Sequence, residues 1–287
     1  MREHEREFRI ATMCFVLAVS RSGYYAWKTR SQSRRCREDA TLLVQIQCIY
    51  AKSRKVYGAP RIHEALKSEG LHLGRKRVAR LMRVHGIVAE PHRRMRWKQA
   101  YKTAEAADNL VNRQFDVPEP NRVWAADMTM FWTGSGWVHL AVVIDLFSRR
   151  VVGWAMHGQP SERLVINALE MAVLSRRPEG SLIHHCDQGS QYRSYHFRSK
   201  LKEYGIQLSM SRKGNCWDNA VVESFFKTLK QELQNDARFV SREEARSQLF
   251  EYIEIFYNRK RLHSTLGYLS PTQYESKLPA SVSTKAG

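Results

Sequence analysis

Acidic side chains are scarce in this chain. Its 287 residues hold 28 Asp and Glu against 47 Lys and Arg, a net charge of +19, with a pI near 10.0. Such an excess of base points to a polyanionic partner, nucleic acid first and an acidic membrane second. Cysteine is sparse too. Cys14, Cys36, Cys48, Cys186 and Cys216 are odd in number, scattered, and never in a Cys-x-x-Cys pair. That pattern excludes a disulfide framework and suits a reducing cytosol. No segment approaches the ~20 apolar residues of a membrane span. The nearest, Ile10 to Ser20, imitates a signal peptide, but Glu3, Glu5 and Glu7 offset three Arg ahead of it and the apolar run is short. A sustained a/d heptad stretch for a coiled coil is also missing. Nor do His63, His72, His85 and His92, with Cys36 or Cys48, match a zinc template. The expectation is a soluble cytoplasmic protein without membrane or zinc.

Taken in order, residues 1–35 read as a short N-terminal helical segment, with Ser20 or Ser22 as a cap and the aromatics of Tyr24-Tyr25-Ala26-Trp27 as core, in preference to DNA stackers. Residues 36–97 are helical and basic. Leu42, Leu43, Ile46, Ile49 and Tyr50 form one stripe, Pro60 suits the first turn of a helix to Ser68, and Gly70 and Gly74 bracket a connector. Arg75 to Arg83 follows, with Val78, Leu81 and Met82 inward. Three short helices around glycine turns fit a helix-turn-helix unit. Between Arg75 and Lys98 there are nine Lys or Arg and one acid, Glu90. Arg75, Lys76, Arg77, Arg80 and Arg83, with Arg93 and Arg94 beyond, are therefore expected to contact DNA. Residues 98–120, with Asp116-Val-Pro-Glu-Pro120, read as an extended linker.

Three acids, Asp127, Asp187 and Glu223, stand apart from the rest. Asp127 lies in Val-Trp-Ala-Ala-Asp-Met-Thr-Met-Phe, whose alternation sets Asp127 and Thr129 on one strand face and Ala126, Met128 and Met130 on the other. Asp187 ends the apolar run Leu-Ile-His-His-Cys-Asp. In Asp218 to Lys230, Val222, Phe225, Phe226 and Leu229 repeat at helical spacing, with Asp218 the expected N-cap. Glu223, Lys227 and Lys230 share the opposite stripe, an acid and two bases. Phosphodiester transfer needs charge neutralised on the phosphoryl oxygens and an activated attacking oxygen. Two Mg²⁺ ions about 3.5–4 Å apart can do both, and hard oxygen ligands from a few carboxylates suit them. Lys227 and Lys230, with Arg212 and Lys213 in the basic loop from Ser211 to Trp217, are expected to hold DNA backbone.

Asp127 and Asp187 have 59 residues between them, and Asp187 and Glu223 have 35. That spacing, with Lys230 seven past the glutamate, resembles the D-D-(35)-E arrangement of retroviral integrases and bacterial transposases. The words Trp124-Ala-Ala-Asp-Met-Thr, Ile144-Asp-Leu-Phe-Ser-Arg-Arg-Val-Val-Gly-Trp154 and His185-Cys-Asp-Gln-Gly-Ser-Gln-Tyr192 narrow it. So do Asn215-Cys-Trp-Asp-Asn-Ala220 and Tyr257-Asn-Arg-Lys-Arg-Leu-His-Ser-Thr-Leu-Gly267. The chain resembles the second-reading-frame product of the insertion-sequence family that makes its full transposase by frameshifting. The likeness runs from about Met13 to Tyr274. Cys186 stands where that family more often has a small hydroxyl residue.

The resemblance implies a ribonuclease-H-like core of five mixed strands at 121–236, in the order βββαβαβα, behind the small all-α domain. Its first and fourth strands would be parallel neighbours, bringing Asp127 beside Asp187. It implies Mg²⁺ as cofactor (two ions, with Mn²⁺ a substitute), 3′-end nicking and strand transfer. Its partners would be element ends, target DNA, the upstream-frame product or a fusion with it, and further copies on DNA. Asp145 is read as structural, and His185 either as structural or as orienting backbone or phosphate. A helix from Ser241 to Tyr257 belongs to a C-terminal extension, 237–275, and 276–287 is expected to be disordered. Two other readings stand beside this one: a nuclease of the same fold that only hydrolyses, and a DNA-binding regulator with an inert core.

Overall fold

The computed structural model describes residues 1–31, 33–89, 106–212, 216–233 and 239–278. Two short helices, α1 (Ile10–Val16) and α2 (Arg21–Thr29), come first. Ser20, not Ser22, caps α2, accepting the Gly23 N–H at 3.0 Å. The pair buries little. Cys14 and Tyr24 are inside, whereas Tyr25 and Trp27, expected in a core, are exposed with Phe15, Val16 and Leu17.

Next come α3 (Arg34–Lys52), α4 (Ala59–Ser68) and α5 (Arg75–Val84). The first of these opens two residues before the expected boundary, with Ser33 as its cap. Leu42, Ile46 and Ile49 meet Ile62 and Leu66 from α4 and Val78, Leu81 and Met82 from α5. Helical periodicity alone builds this core, because each helix offers one apolar stripe.

The larger layer is a sheet of β1 (Val123–Thr133), β2 (Gly136–Asp145), β3 (Val151–His157), β4 (Leu182–Cys186) and β5 (Ile206–Met210), in the order β3-β2-β1-β4-β5. The first three form the expected antiparallel meander, while β1, β4 and β5 run parallel. Gly136 turns the first hairpin at φ +108°, a backbone that glycine adopts without strain. Crossovers are α6 (Glu162–Arg176) and α7 (Tyr195–Glu203), packed with Trp124, Ala126, Ala141 and Val143 on one face. Gly153 lets α6 approach closely; a Cβ there would lie 2.2 Å from the Ala168 carbonyl oxygen. On the other face, Ala125, Phe131, Leu140, Val142 and Ile144 meet α8 (Ala220–Leu233) and α9 (Arg242–Phe250).

The single helix expected over Ser241 to Tyr257 is α-helical only to Phe250 and π-helical from Glu251 to Tyr257. Tyr252, Ile253, Phe256 and Tyr257 are all buried there. An unanticipated α10 (Pro271–Glu275) follows, with a Ser270/Gln273 capping box. The described part of the expected linker is not a free tether. Val111 is buried in the core, Phe115 packs against it, and the Leu110 N–H reaches Ser209 Oγ at 3.0 Å. Its apolar side chains drive it onto the sheet domain. The three-helix unit also docks there. Tyr57 Oη accepts the Leu262 N–H at 2.8 Å, and Arg54 pairs with Glu251 over the Phe256 ring. No helix among the described residues is long and apolar enough to cross a membrane.

Candidate catalytic centre and DNA-binding faces

Parallel pairing of Ala126 with Cys186 sets Asp127 and Asp187 side by side, each the next residue along its chain. Alternation then decides the face. Asp127 shares its side of β1 with Ala125 and Phe131, which pack under α8. Glu223, in the first turn of α8, comes to the same side. Strand order and parity thereby bring the three acids to one side of the sheet, over its inner strands.

Burial raises the Asp127 carboxyl well above the ordinary range, and the neighbouring Asp187 and Glu223 charges add to this. Its Oδ1 accepts the Met128 N–H at 2.7 Å. Burial also raises Asp187, opposed by the Gly189 N–H (2.9 Å to Oδ1) and by Arg193. Glu223, more exposed, is raised by partial burial and by Asp187. Three acids that resist ionising together form a site in want of positive charge. Lys230 supplies some. Burial pushes its ammonium down to about 8 while Asp127 opposes the fall, and its Nζ lies 5.5 Å from the Phe131 ring centre. Lys227, one turn earlier, is exposed.

The donor set, hard carboxylate oxygens beside a basic helix stripe, fits a divalent cation such as Mg²⁺. Yet no group of three His, Cys, Asp or Glu among the described residues is close enough to hold a metal ion. The aspartates are juxtaposed by the sheet, and Glu223 reaches them electrostatically without closing a cage.

Asp218 corrects the expectation of an N-cap. Its side chain is fully buried and accepts from Arg212 Nε (2.9 Å) and Nη2 (2.9 Å), Arg113 Nε (2.9 Å) and Asn109 Nδ2 (2.9 Å). Chiefly Arg212 holds it well below the usual carboxylate range. Arg212 thus pairs with Asp218 while its side chain stays about half exposed. Arg77 and Arg80 are also paired with acids, Arg77 partly buried and Arg80 more open to solvent. Arg77 binds Asp39 at 2.7 Å and Glu38 at 3.3 Å, and Arg80 also binds Asp39. Acids on α3 neutralise that side of α5. Arg75, Lys76 and Arg83 remain exposed. Lys213, Arg93 and Arg94 lie outside the described residues.

Asp145 is structural as read. It accepts the Asn121 and Phe147 N–H groups and lies 3.5 Å from Arg176, with burial pushing it up to about 6. His185 is buried between Ser209 Oγ (2.8 Å) and the Asp218 carbonyl (2.9 Å), so the backbone is what it engages. His63 Nε2 meets the Leu73 carbonyl at 2.8 Å, the simple polar role expected of it. Sequence reading missed Asn219 and Arg113. Only Asn219, inside the Trp217-Asp-Asn-Ala220 word, carried a local signal.

Residues 117–216 and 204–271 each match a model described as integrase core domain, and 37–95 match an HTH-like domain. The chain is 42% identical over 266 residues to an uncharacterized 31 kDa protein of insertion element IS600 from Shigella sonnei, covering 92% of this chain and 98% of that one. It is 40% identical over 284 residues to transposase InsF for insertion sequence IS3A of Escherichia coli (strain K12), covering 96% of each. Among solved structures, the HTLV-2 integrase catalytic core in complex with magnesium is similar at TM-score 0.41 and 19% identity, over 55% of this chain and 97% of that one. A simian T-cell lymphotropic virus intasome chain is similar at 0.46 and 17%, over 76% and 72%.

An integrase core behind a helix-turn-helix-like domain, with paired acids at the centre of its sheet, defines a transposase of the integrase superfamily. Within that class, the chain belongs to the insertion-sequence transposase family that includes InsF of IS3.

Proposed function

We propose that the chain nicks element ends and joins the freed 3′-hydroxyl to target DNA by phosphodiester transesterification. The observation that carries this reading is the parallel β1–β4 register, which juxtaposes Asp127 and Asp187 beneath the helix of Glu223. Bound there, two Mg²⁺ ions (Mn²⁺ can replace them) would neutralise phosphoryl charge and activate the attacking oxygen. Asp127 and Asp187 would hold both ions and Glu223 the second. Lys230 and Lys227 hold backbone phosphate along the helix stripe. Arg75, Lys76 and Arg83, exposed on α5, are the DNA contacts of the 36–97 domain, positioning the duplex rather than reading bases.

The partners are DNA, further copies on it, and an upstream-frame product. The apolar face left open by Phe15, Val16 and Leu17 supports a protein partner at this end. The site of action is the cytoplasm, on the nucleoid.

The test is 3′-end cleavage and joining on terminal-repeat DNA with Mg²⁺. Asp127→Asn and Glu223→Gln, folded like the parent, should each lose more than about 10²-fold, since metal stabilisation of the transition state is several kcal/mol. Full activity in either variant sinks the assignment. Cleavage in which no 3′-hydroxyl ever acts as nucleophile would make the chain a nuclease. Specific DNA binding without turnover would make it a regulator.

A further inference from the structure

The turn before α8 is tied to both strands that carry the aspartates. Asn219 is buried, and its Nδ2 donates to the carbonyl of Ala126 at 3.1 Å, one residue before Asp127. The next carbonyl back, that of Asp218, meets His185 Nε2 at 2.9 Å, two residues before Asp187. His185 is itself fixed by Ser209 Oγ at 2.8 Å and Ser211 Oγ at 3.2 Å. The Asp218 carboxylate anchors the same turn through Arg212, Arg113 and Asn109. Glu223 follows Asn219 by four residues, about one helical turn. A shift of the Cys216–Asn219 turn therefore carries Glu223 relative to both aspartates at once.

Asn219 also bears a cost. Its Oδ1 is buried with no hydrogen-bond donor, a destabilising arrangement. An apolar side chain of similar size would avoid that penalty, yet would lose the bond to β1. The amide is thus better explained by placement than by stability.

We propose that Asn219 is a positioning residue, with His185 its counterpart on β4, and that together they set the separation of Glu223 from the Asp127–Asp187 pair. The proposal rests on the reading of those three acids as the metal-holding centre. The sheet fixes the aspartates by register, whereas the third acid depends on these two tethers.

The experiment uses the full chain and measures three quantities: the melting temperature, Mn²⁺ affinity by calorimetry without DNA, and kcat and KM for 3′-end cleavage. The variants are Asn219→Ala, Asn219→Asp (the same shape with its donor replaced by an acceptor) and Glu223→Gln. Melting near wild type in at least one Asn219 variant, with Mn²⁺ binding weakened about 10- to 100-fold and a lower kcat at unchanged KM, is the expected result. Wild-type Mn²⁺ affinity and kcat in a folded Asn219 variant, with Glu223→Gln impaired, would overturn the positioning role while leaving the centre intact. Loss of the fold in both Asn219 variants would make the residue scaffold and overturn it as well. A Glu223→Gln protein indistinguishable from wild type in binding and cleavage would bring down the centre, and the tethers with it.

Discussion

Two histidines set an acid limit on this protein. Burial pushes His184 down to about 3 and His263 down to about 2. Both are neutral in the fold, whereas an unfolded histidine takes up a proton below about pH 6.5. The unfolded chain then binds more protons, so stability rises with pH across that window and falls as pH drops through it. Between about pH 6.5 and 4.5 each histidine contributes a fall of roughly 1.4 kcal/mol per pH unit, opposed by Asp127, Asp145 and Asp187, whose raised carboxyls take up protons in the fold first. Urea unfolding of His184→Phe beside the parent should therefore differ in slope by about 1.4 kcal/mol per pH unit; identical slopes would contradict it. Residue roles were also where the sequence was least legible. Lys and Arg look alike on a helical wheel, so nothing local separated Arg75 and Arg83, which face solvent, from Arg77 and Arg80, which Glu38 and Asp39 hold from another helix. Asp218 misled for a related reason. Its position before a helix suggests a cap, while its partners Arg113 and Asn109 lie over a hundred residues upstream.

Elements hold their places through a few such long-range contacts. Near the end of α8, Glu232 accepts from Arg261 Nη2 at 2.7 Å and from the Tyr252 hydroxyl at 2.7 Å, with both ions almost wholly buried. Leaving one partner of a buried ion pair uncompensated costs about 3–5 kcal/mol. Glu232→Gln should therefore lower the melting temperature by roughly 6 °C or more, read by calorimetry; a change under about 2 °C would show the pair to be dispensable. On α5 the solvent-facing bases and the partly buried Arg77 predict opposite phenotypes. Arg75→Ala, Lys76→Ala and Arg83→Ala together should leave melting unchanged and reduce the slope of log K against log salt by up to about three, near 0.9 for each phosphate no longer neutralised. Arg77→Ala should instead weaken the packing of α3 on α5 and lower the melting temperature, with a smaller effect on the salt slope.

For the whole molecule, periodicity sufficed for most of the architecture. The alternation around Asp127 and the helical repeat around Glu223 each gave an element and a buried face, while the parallel β1–β4 pairing was implied by the family resemblance. Contacts between distant segments were not legible. The docking of Tyr57 on the 260–262 backbone, the folding of the 106–120 segment onto the sheet, and the Glu275 cluster with Arg150 and Arg176 leave no periodic trace. On the proposed reading, divalent cations bind between the paired aspartates and draw Glu223 in to join them. Crystals of the full chain soaked in Mn²⁺ and measured for anomalous scattering test it most directly. Density is expected between Asp127 and Asp187, bonded to oxygens of both, with Glu223 swung in to complete the shell. Mn²⁺ bound only elsewhere, with the two aspartates free of it at saturating concentration, would contradict the account.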